Sequence, residues 1–306
     1  MERFNPLSSV MFSCLFKDME SKIAMLELLN AILLEVREEP VEEILDIKSE
    51  YSLIAEGVGM KFGRIDVIVR TKSGLIIDIE VQIAKDAITN RSIFYGAHII
   101  TDEFKSGEKY SEMPQVRCIN ILDFLVREDN NELVQPVSMM FEKAPTREAT
   151  DIFKIYHIQM PVFRKNFKTL ESVKDNAFHR WLYMFAKGYK NKEEMEMLAE
   201  MSEGLKNFAQ KYNVAINDPN LVRLYRLEQD AIRDEKSRMG FAIKEAQKEA
   251  RRVGMQEGLQ KGLQKGHQEG LQKGLQKAAL GMRLKGLKPE DISEITGLSV
   301  NEIMTL

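Results

Sequence analysis

The sequence predicts an α/β fold in which strands surround a helix, followed by a helical C-terminal extension and a small helix-turn-helix-like tail. Three observations carry this expectation. Arg64–Arg70 and Leu75–Ile83 alternate apolar and polar residues, the period of strands with two unlike faces. Apolar residues before Val36 and after Lys168 recur at three- and four-residue spacing, the period of amphipathic helices. From Gly254 to Gly274 a glycine stands at every fourth position.

Taken in order, Leu7–Val36 reads as helical, with Phe12, Leu15, Phe16, Met19, Ile23, Leu26, Leu29 and Leu33 on one face. Pro40 interrupts it, and Val41–Leu45 starts an extended stretch. In the first alternating strand Ile65, Val67 and Val69 oppose Asp66 and Arg70, with Ile68 the apolar exception. In the second, Ile77, Ile79, Val81 and Ile83 oppose Asp78, Glu80 and Gln82, and Lys72-Ser73-Gly74 forms the turn between the strands. Ala87–Phe104 has helical spacing through Ile88, Phe94, Tyr95, His98 and Ile99. Val116–Val126, Val137–Phe141 and Ile152–Ile158 are further strands. Glu193–Tyr212 and Leu221–Ala250 read as two longer helices, separated near Asp218-Pro219.

The glycine repeat reads GMQE, GLQK, GLQK, GHQE, GLQK, GLQK. Each glycine costs a helix about 1 kcal/mol relative to alanine. Four residues turn a helix by roughly 400°, so glycines and leucines spiral around the axis. The repeat is a flexible spacer, a helix that pairs with a second copy, or a lysine-bearing contact to nucleic acid. In the tail, Pro289 suits a first helical turn, Gly297 a helix end, and Ser299-x-x-Glu302 a capping box. That pattern fits a helix-turn-helix reading DNA and equally a self-association module.

Composition bounds the function classes. A chain of 306 residues with 44% apolar and 30% charged residues suits a globular protein. The absence of a signal-like start or a long apolar run leads to an expected cytoplasmic location without a membrane. The net charge of −3 does not favour nucleic-acid binding, although a local basic patch or a bound metal can suffice. Cys14 and Cys118 read as buried free thiols, and His98, His157, His179 and His267 lack zinc-ligand spacing.

The hairpin carries the chemistry. With a three-residue loop and Gly74 in the left-handed region, Thr71 falls opposite Leu75, Asp66 opposite Glu80 and Arg64 opposite Gln82. Directly paired residues have Cβ atoms about 5 Å apart. Two carboxylates that close repel, and a divalent cation resolves the conflict by binding both. A two-residue loop would put the acids on opposite faces. The same alternation also describes any hairpin with one wet face.

Gly63-Arg64-Ile65-Asp66-Val67 followed by Ile79-Glu80-Val81-Gln82 resembles the PD-(D/E)XK nuclease superfamily, and within it the recombination-promoting nuclease/putative transposase family. Arg91, Tyr95, Gly107, Glu108, Tyr110, the glycine repeat and Ile295-Thr296-Gly297-Leu298-Ser299 extend the resemblance over nearly the whole chain. It implies a restriction-endonuclease-like core, a mixed sheet flanked by helices, over residues 1–165. A helical region (166–250), the glycine repeat (251–277) and a small helical module (278–306) then follow. The resemblance further implies DNA cleavage with Mg²⁺ or Mn²⁺ held by Asp66, Glu80 and the carbonyl of Val81. Gln82, in place of the superfamily's lysine, would orient water or touch phosphate. Arg64 and Lys85 would compensate for its missing charge. Arg91 and Tyr95 would position phosphate or metal ligands, or Arg91 would pair an acid. Asp78 would support the metal ligands from behind or, the preferred reading, is a solvated side chain. Ser9 stands where such proteins often carry an Asp, and Glu20, Glu27 or Glu35 are candidates for a further acid from the opening helix. A homo-oligomer formed through the repeat and tail is the expected assembly.

Overall fold

A computed structural model describes residues 4–52, 64–83, 87–129 and 131–306, with the side chains of 50–52, 64 and 65 left aside. Two units are distinguished, Met1–Asp230 and Ala231–Leu306.

The first unit begins with two helices where the spacing suggested one: α1 (Ser9–Leu15) and α2 (Lys22–Glu35). The break lies at Asp18, whose carboxylate accepts the Glu20 N–H and caps a 3₁₀ turn at Met19–Ser21. This turn shifts the helical phase, so Met19 and Ile23 of the expected apolar face are exposed. Ala24, Met25, Leu28, Leu29, Ala31, Ile32 and Leu33 are buried in α2 instead.

The strands β1 (Ile44–Ser52), β2 (Arg64–Thr71) and β3 (Ile76–Gln82) lead to helix α3 (Ile88–Glu103) and strand β4 (Val116–Leu122). Next come β5 (Val134–Ser138), a small hairpin of β6 (Met140–Phe141) and β7 (Ala144–Glu148), and β8 (Phe153–Gln159). The stretch expected as one strand at Val137–Phe141 is thus divided between β5 and β6. The main sheet has the order β1-β2-β3-β4-β8-β5. It is mixed: β3, β4 and β8 run parallel, and the flanking pairs are antiparallel. Every residue of β4 is buried, as expected for a central strand covered on both faces.

The two faces are covered differently. Val67, Val69, Ile77, Ile79, Val81, Ile119, Ile121 and Ile158 join the main core with α1, α2 and the helices that follow β8. Ile68, Ile76, Val116, Cys118 and Ile155 point the other way, under Tyr95 and Ile99 of α3. This explains the apolar exception at Ile68. The buried face of α3 is Ile88, Ser92, Tyr95, Gly96 and Ile99, while Phe94 is exposed. The small residues let the helix approach closely: a Cβ at Gly96 would lie 2.0 Å from Phe153 Cε2.

Helices α4 (Met160–Asn166), α5 (Ala177–Ala186), α6 (Lys192–Glu200) and α7 (Glu203–Ala215) complete the main core. The expected single helix over Glu193–Tyr212 is interrupted where Ser202 caps α7 by accepting the Leu205 N–H. Trp181 is fully buried, and its Nε1–H donates to Glu27, which also accepts from the Ser202 hydroxyl and the Gly204 N–H.

Helix α8 spans Pro219–Leu284, so the expected end near Ala250 is not found and the glycine repeat is helical. Its first turns belong to the first unit. Leu221 is buried, the Tyr225 hydroxyl accepts the Asn5 N–H, and the Phe4 and Tyr225 rings lie 4.6 Å apart. In the second unit Ala279, Ile292, Leu298 and Ile303 form a small core shared with α9 (Pro289–Thr296) and α10 (Val300–Thr305). The tail signals are found as expected: Pro at the start of α9, Gly297 at φ 73°, and the Ser299–Glu302 capping box.

Of the two free thiols, Cys118 is buried and Cys14 is half-buried. Among the described residues no helix is long and apolar enough to cross a membrane.

Candidate metal centre

The hairpin register follows from its turn. Gly74 has φ 85°, a left-handed conformation that glycine adopts without a Cβ penalty. The Thr71 N–H donates to Leu75 O at 3.0 Å, closing the three-residue loop. Val67 pairs with Ile79 and Ile68 with Asp78, so the next position along brings Asp66 to Glu80.

There the acids clasp the opposite backbone. Glu80 Oε1 accepts the Asp66 N–H at 3.2 Å, and Asp66 Oδ2 accepts the Val81 N–H at 2.9 Å. The carbonyl of Val81 shares the strand edge of its own N–H, on the side of Asp66. Asp66 Oδ1 accepts the Ser9 hydroxyl at 2.6 Å. Arg91 donates from Nη2 to Glu80 Oε2 at 3.2 Å and from Nη1 to Gln82 Oε1 at 3.4 Å. Its guanidinium lies 5.1 Å from the centroid of the Tyr95 ring, a cation–π distance.

Asp66, Glu80, Val81, Gln82, Arg91 and Tyr95 are therefore brought together. Arg64 begins β2, and its side chain lies outside the description; Lys85 lies outside the described residues altogether. Gly107, Glu108 and Tyr110 precede the start of β4 at Val116, which pairs with Ile76 at the opposite end of β3 from Gln82. The acids proposed from the opening helices are elsewhere: Glu27 serves Trp181, Ser202 and Gly204, Glu20 pairs with Lys211, and Glu35 is exposed.

Asp78 is a correction. It is fully buried under α3, not solvated, with the Cys118 thiol as a polar neighbour. The alternation was read correctly, but the face it marks is covered. Polar residues continue across that face at one level. Glu80 pairs with Asn120, Asn120 with His157, and His157 with Gln135. Helix α3 meets this row with polar groups of its own, Ser92 on Asn120 and Thr89 on His157 Nε2 at 3.0 Å. This row was not legible in the sequence, because its members lie on four strands that only the topology makes neighbours.

One further acid was missed. Glu228 of α8 accepts the Ser9 N–H at 2.8 Å and the Val10 N–H at 3.4 Å, so it stands on the residue that holds Asp66.

Burial pushes the Glu80 carboxyl well above the ordinary range, and the neighbouring Asp78 and Asp66 push in the same direction; Arg91 opposes them. Burial also raises Asp78, with Asp66 adding to the effect. The sign for stability follows. An acid whose pKa is higher folded than unfolded holds its proton longer in the folded state, so stability falls as pH rises above the unfolded value. His157 is lowered to about 4 by burial and favours folding at higher pH, but only up to the unfolded histidine value. Above that value, between about pH 7 and pH 9 in EDTA, the melting temperature is expected to fall, and the fall is expected to be shallower in Glu80→Gln. Equal slopes in the two proteins would refute the assignment of this effect to Glu80.

Do these residues suit a divalent metal? Among the described residues no group of three His, Cys, Asp or Glu is placed to hold one. Two carboxylates and a carbonyl are present, and Mg²⁺ is commonly bound by one or two carboxylates while retaining several waters. The crowding of Asp66, Asp78 and Glu80 around one described guanidinium is what an added cation would relieve. The donor set therefore fits.

A mixed six-stranded sheet flanked by helices is consistent with the PD-(D/E)XK class of nuclease folds. A sequence profile described as "PD-(D/E)XK nuclease family transposase" matches residues 6–242, and the chain belongs to that family. No curated protein and no solved structure matches the chain.

Proposed function

We propose that this protein is a Mg²⁺- or Mn²⁺-dependent DNA endonuclease with little sequence specificity, acting in the cytoplasm in a recombination- or transposition-related role. The observation that carries the reading is the meeting of Asp66 and Glu80 across the hairpin, each carboxylate accepting the other strand's N–H. Asp66, Glu80 and the Val81 carbonyl would hold the cation. The chemistry supplied by such a cation is acidification of a coordinated water and stabilisation of charge on the scissile phosphate. Gln82 is neutral and offers an amide donor and an acceptor to the attacking water or a phosphate oxygen. Arg91 contributes the positive charge that Gln82 lacks, from a position fixed by Glu80 and the Tyr95 ring.

Oligomerisation through the second unit is part of the proposal. Along the repeat Leu259, Leu263 and Leu271 are each at least 60% exposed, and a Cβ at any repeat glycine would meet nothing within 4 Å. A second copy carries the same four-residue period and can match it.

A second reading is a DNA-binding or self-assembling protein on the same fold that does not cut. The ion pair between Arg91 and Glu80 favours it, since it partly neutralises Glu80 without a metal. A supercoiled-plasmid assay with Mg²⁺, Mn²⁺, Ca²⁺ and EDTA separates the two. The endonuclease is expected to nick with Mg²⁺ or Mn²⁺ and to stop in EDTA. Intact plasmid under all four conditions, together with no Mn²⁺ binding, would establish the second reading instead.

A further inference from the structure

We infer that Glu228 and Ser9 are positioning residues of the metal centre, so that the site is assembled from three distant parts of the chain: α1, the β2–β3 hairpin and α8. The inference rests on the metal-site reading above. The contacts form one path. Glu228 Oε1 takes the backbone N–H groups of Ser9 and Val10 at 2.8 and 3.4 Å. The Ser9 hydroxyl, on the residue so held, donates to Asp66 Oδ1 at 2.6 Å, and the Ser13 hydroxyl donates to the Asp66 carbonyl at 3.4 Å. Asp66 Oδ2 is directed by the Val81 N–H. The orientation of the carboxylate is thus fixed from two sides, one belonging to the hairpin and one to α1 as fixed by α8.

The electrostatics agree with the geometry. Glu228 is raised by burial, and the negative charge of Asp66 adds to the rise. The Ser8 hydroxyl and the Ser9 and Val10 N–H groups oppose that rise. Supporting groups that orient metal ligands by hydrogen bonds are worth roughly 10–100-fold in metal affinity.

The test is Mn²⁺ binding by calorimetry or electron paramagnetic resonance on the full chain, without DNA. Wild type, Asp66→Ala, Ser9→Ala, Glu228→Ala, Glu228→Gln and the double variant Ser9→Ala/Glu228→Ala are compared. Ser9→Ala and Glu228→Ala are expected to weaken Mn²⁺ binding by roughly 10–100-fold each. The double variant is expected to be no worse than the weaker-binding single one, because both act through one path. Glu228→Gln retains a carbonyl oxygen that accepts the two N–H groups and is expected to stay within about threefold of wild type. A purely structural role would lower melting temperature and leave Mn²⁺ affinity unmoved. If Asp66→Ala loses Mn²⁺ while Ser9→Ala and Glu228→Ala bind it like wild type, the inference is overturned and the metal-site reading stands. If Glu228→Gln loses as much affinity as Glu228→Ala, positioning through the Ser9 backbone is overturned. If the wild type binds no Mn²⁺, both readings are overturned. Ser9→Ala and Glu228→Gln keep the question decidable should Glu228→Ala fail to fold.

Discussion

Replacing Asp66 with alanine is expected to abolish Mg²⁺-dependent nicking while the protein stays folded. The change removes the carboxylate that accepts from both Ser9 and Val81 and faces Glu80. Preorganised groups that stabilise transition-state charge are individually worth roughly 10²–10³ in rate, and a metal ligand should lie at or above the top of that range. The Val81 N–H loses its acceptor, at a cost of about 1–3 kcal/mol if water does not replace it. Asp66→Asn is the milder companion. It retains one acceptor and the side-chain volume but lacks the charge, and it is expected to be just as inactive. The measurement is plasmid nicking beside a thermal melt. Cleavage at the wild-type rate by folded Asp66→Asn would show that the cation, and with it the chemistry, sits elsewhere.

The second large effect is expected outside that site. Arg117 of β4 is buried to 2% exposure, yet it is fully engaged. Its guanidinium donates to Glu38 Oε2 through Nε at 3.1 Å and Nη2 at 3.0 Å, and to the Asp151 carbonyl and carboxylate at 2.9 and 2.8 Å. Lys154 and the Tyr156 hydroxyl hold Glu38 Oε1 at 2.7 and 2.8 Å. Removing one member of a buried ion pair costs about 3–5 kcal/mol, and because Lys154 still serves Glu38, Arg117→Met is expected near the lower end, about 3 kcal/mol. Urea unfolding measures it. A loss under about 1 kcal/mol would mean that the network tolerates an uncharged Arg117 position. The pH behaviour here is opposite to that of Glu80. Burial alone would raise Glu38, but Lys154, Tyr156 and Arg117 together hold its carboxyl below the usual range. That stability is present above the unfolded value and is lost as pH falls through the folded one.

The hairpin and its register were legible because one glycine and the two-residue period determine them, and both are local. Strands β4 and β8 and helix α3 were legible from their own local patterns. Two kinds of feature were not. Phase shifts came from single capping residues, Asp18 and Ser202, which look like any polar residue in a helical run. Burial of Asp78 depended on α3 covering a face whose polar alternation reads as wet. Of the residues that meet in the candidate site, Asp66, Glu80, Gln82 and Arg91 were singled out by spacing and family resemblance. Glu228 was not, since it is one acid in a charge-rich helix and its partner Ser9 lies 219 positions away.

That separation bears on how the protein is made. A ribosome adding 5–20 residues per second needs roughly 10–40 s to travel from Ser9 to Glu228. The hairpin emerges early in that interval, but the glutamate that holds the start of α1 is among the last residues of its unit to be synthesised. The nascent chain therefore carries the two hairpin acids well before it can acquire the Ser9–Glu228 contact beside them.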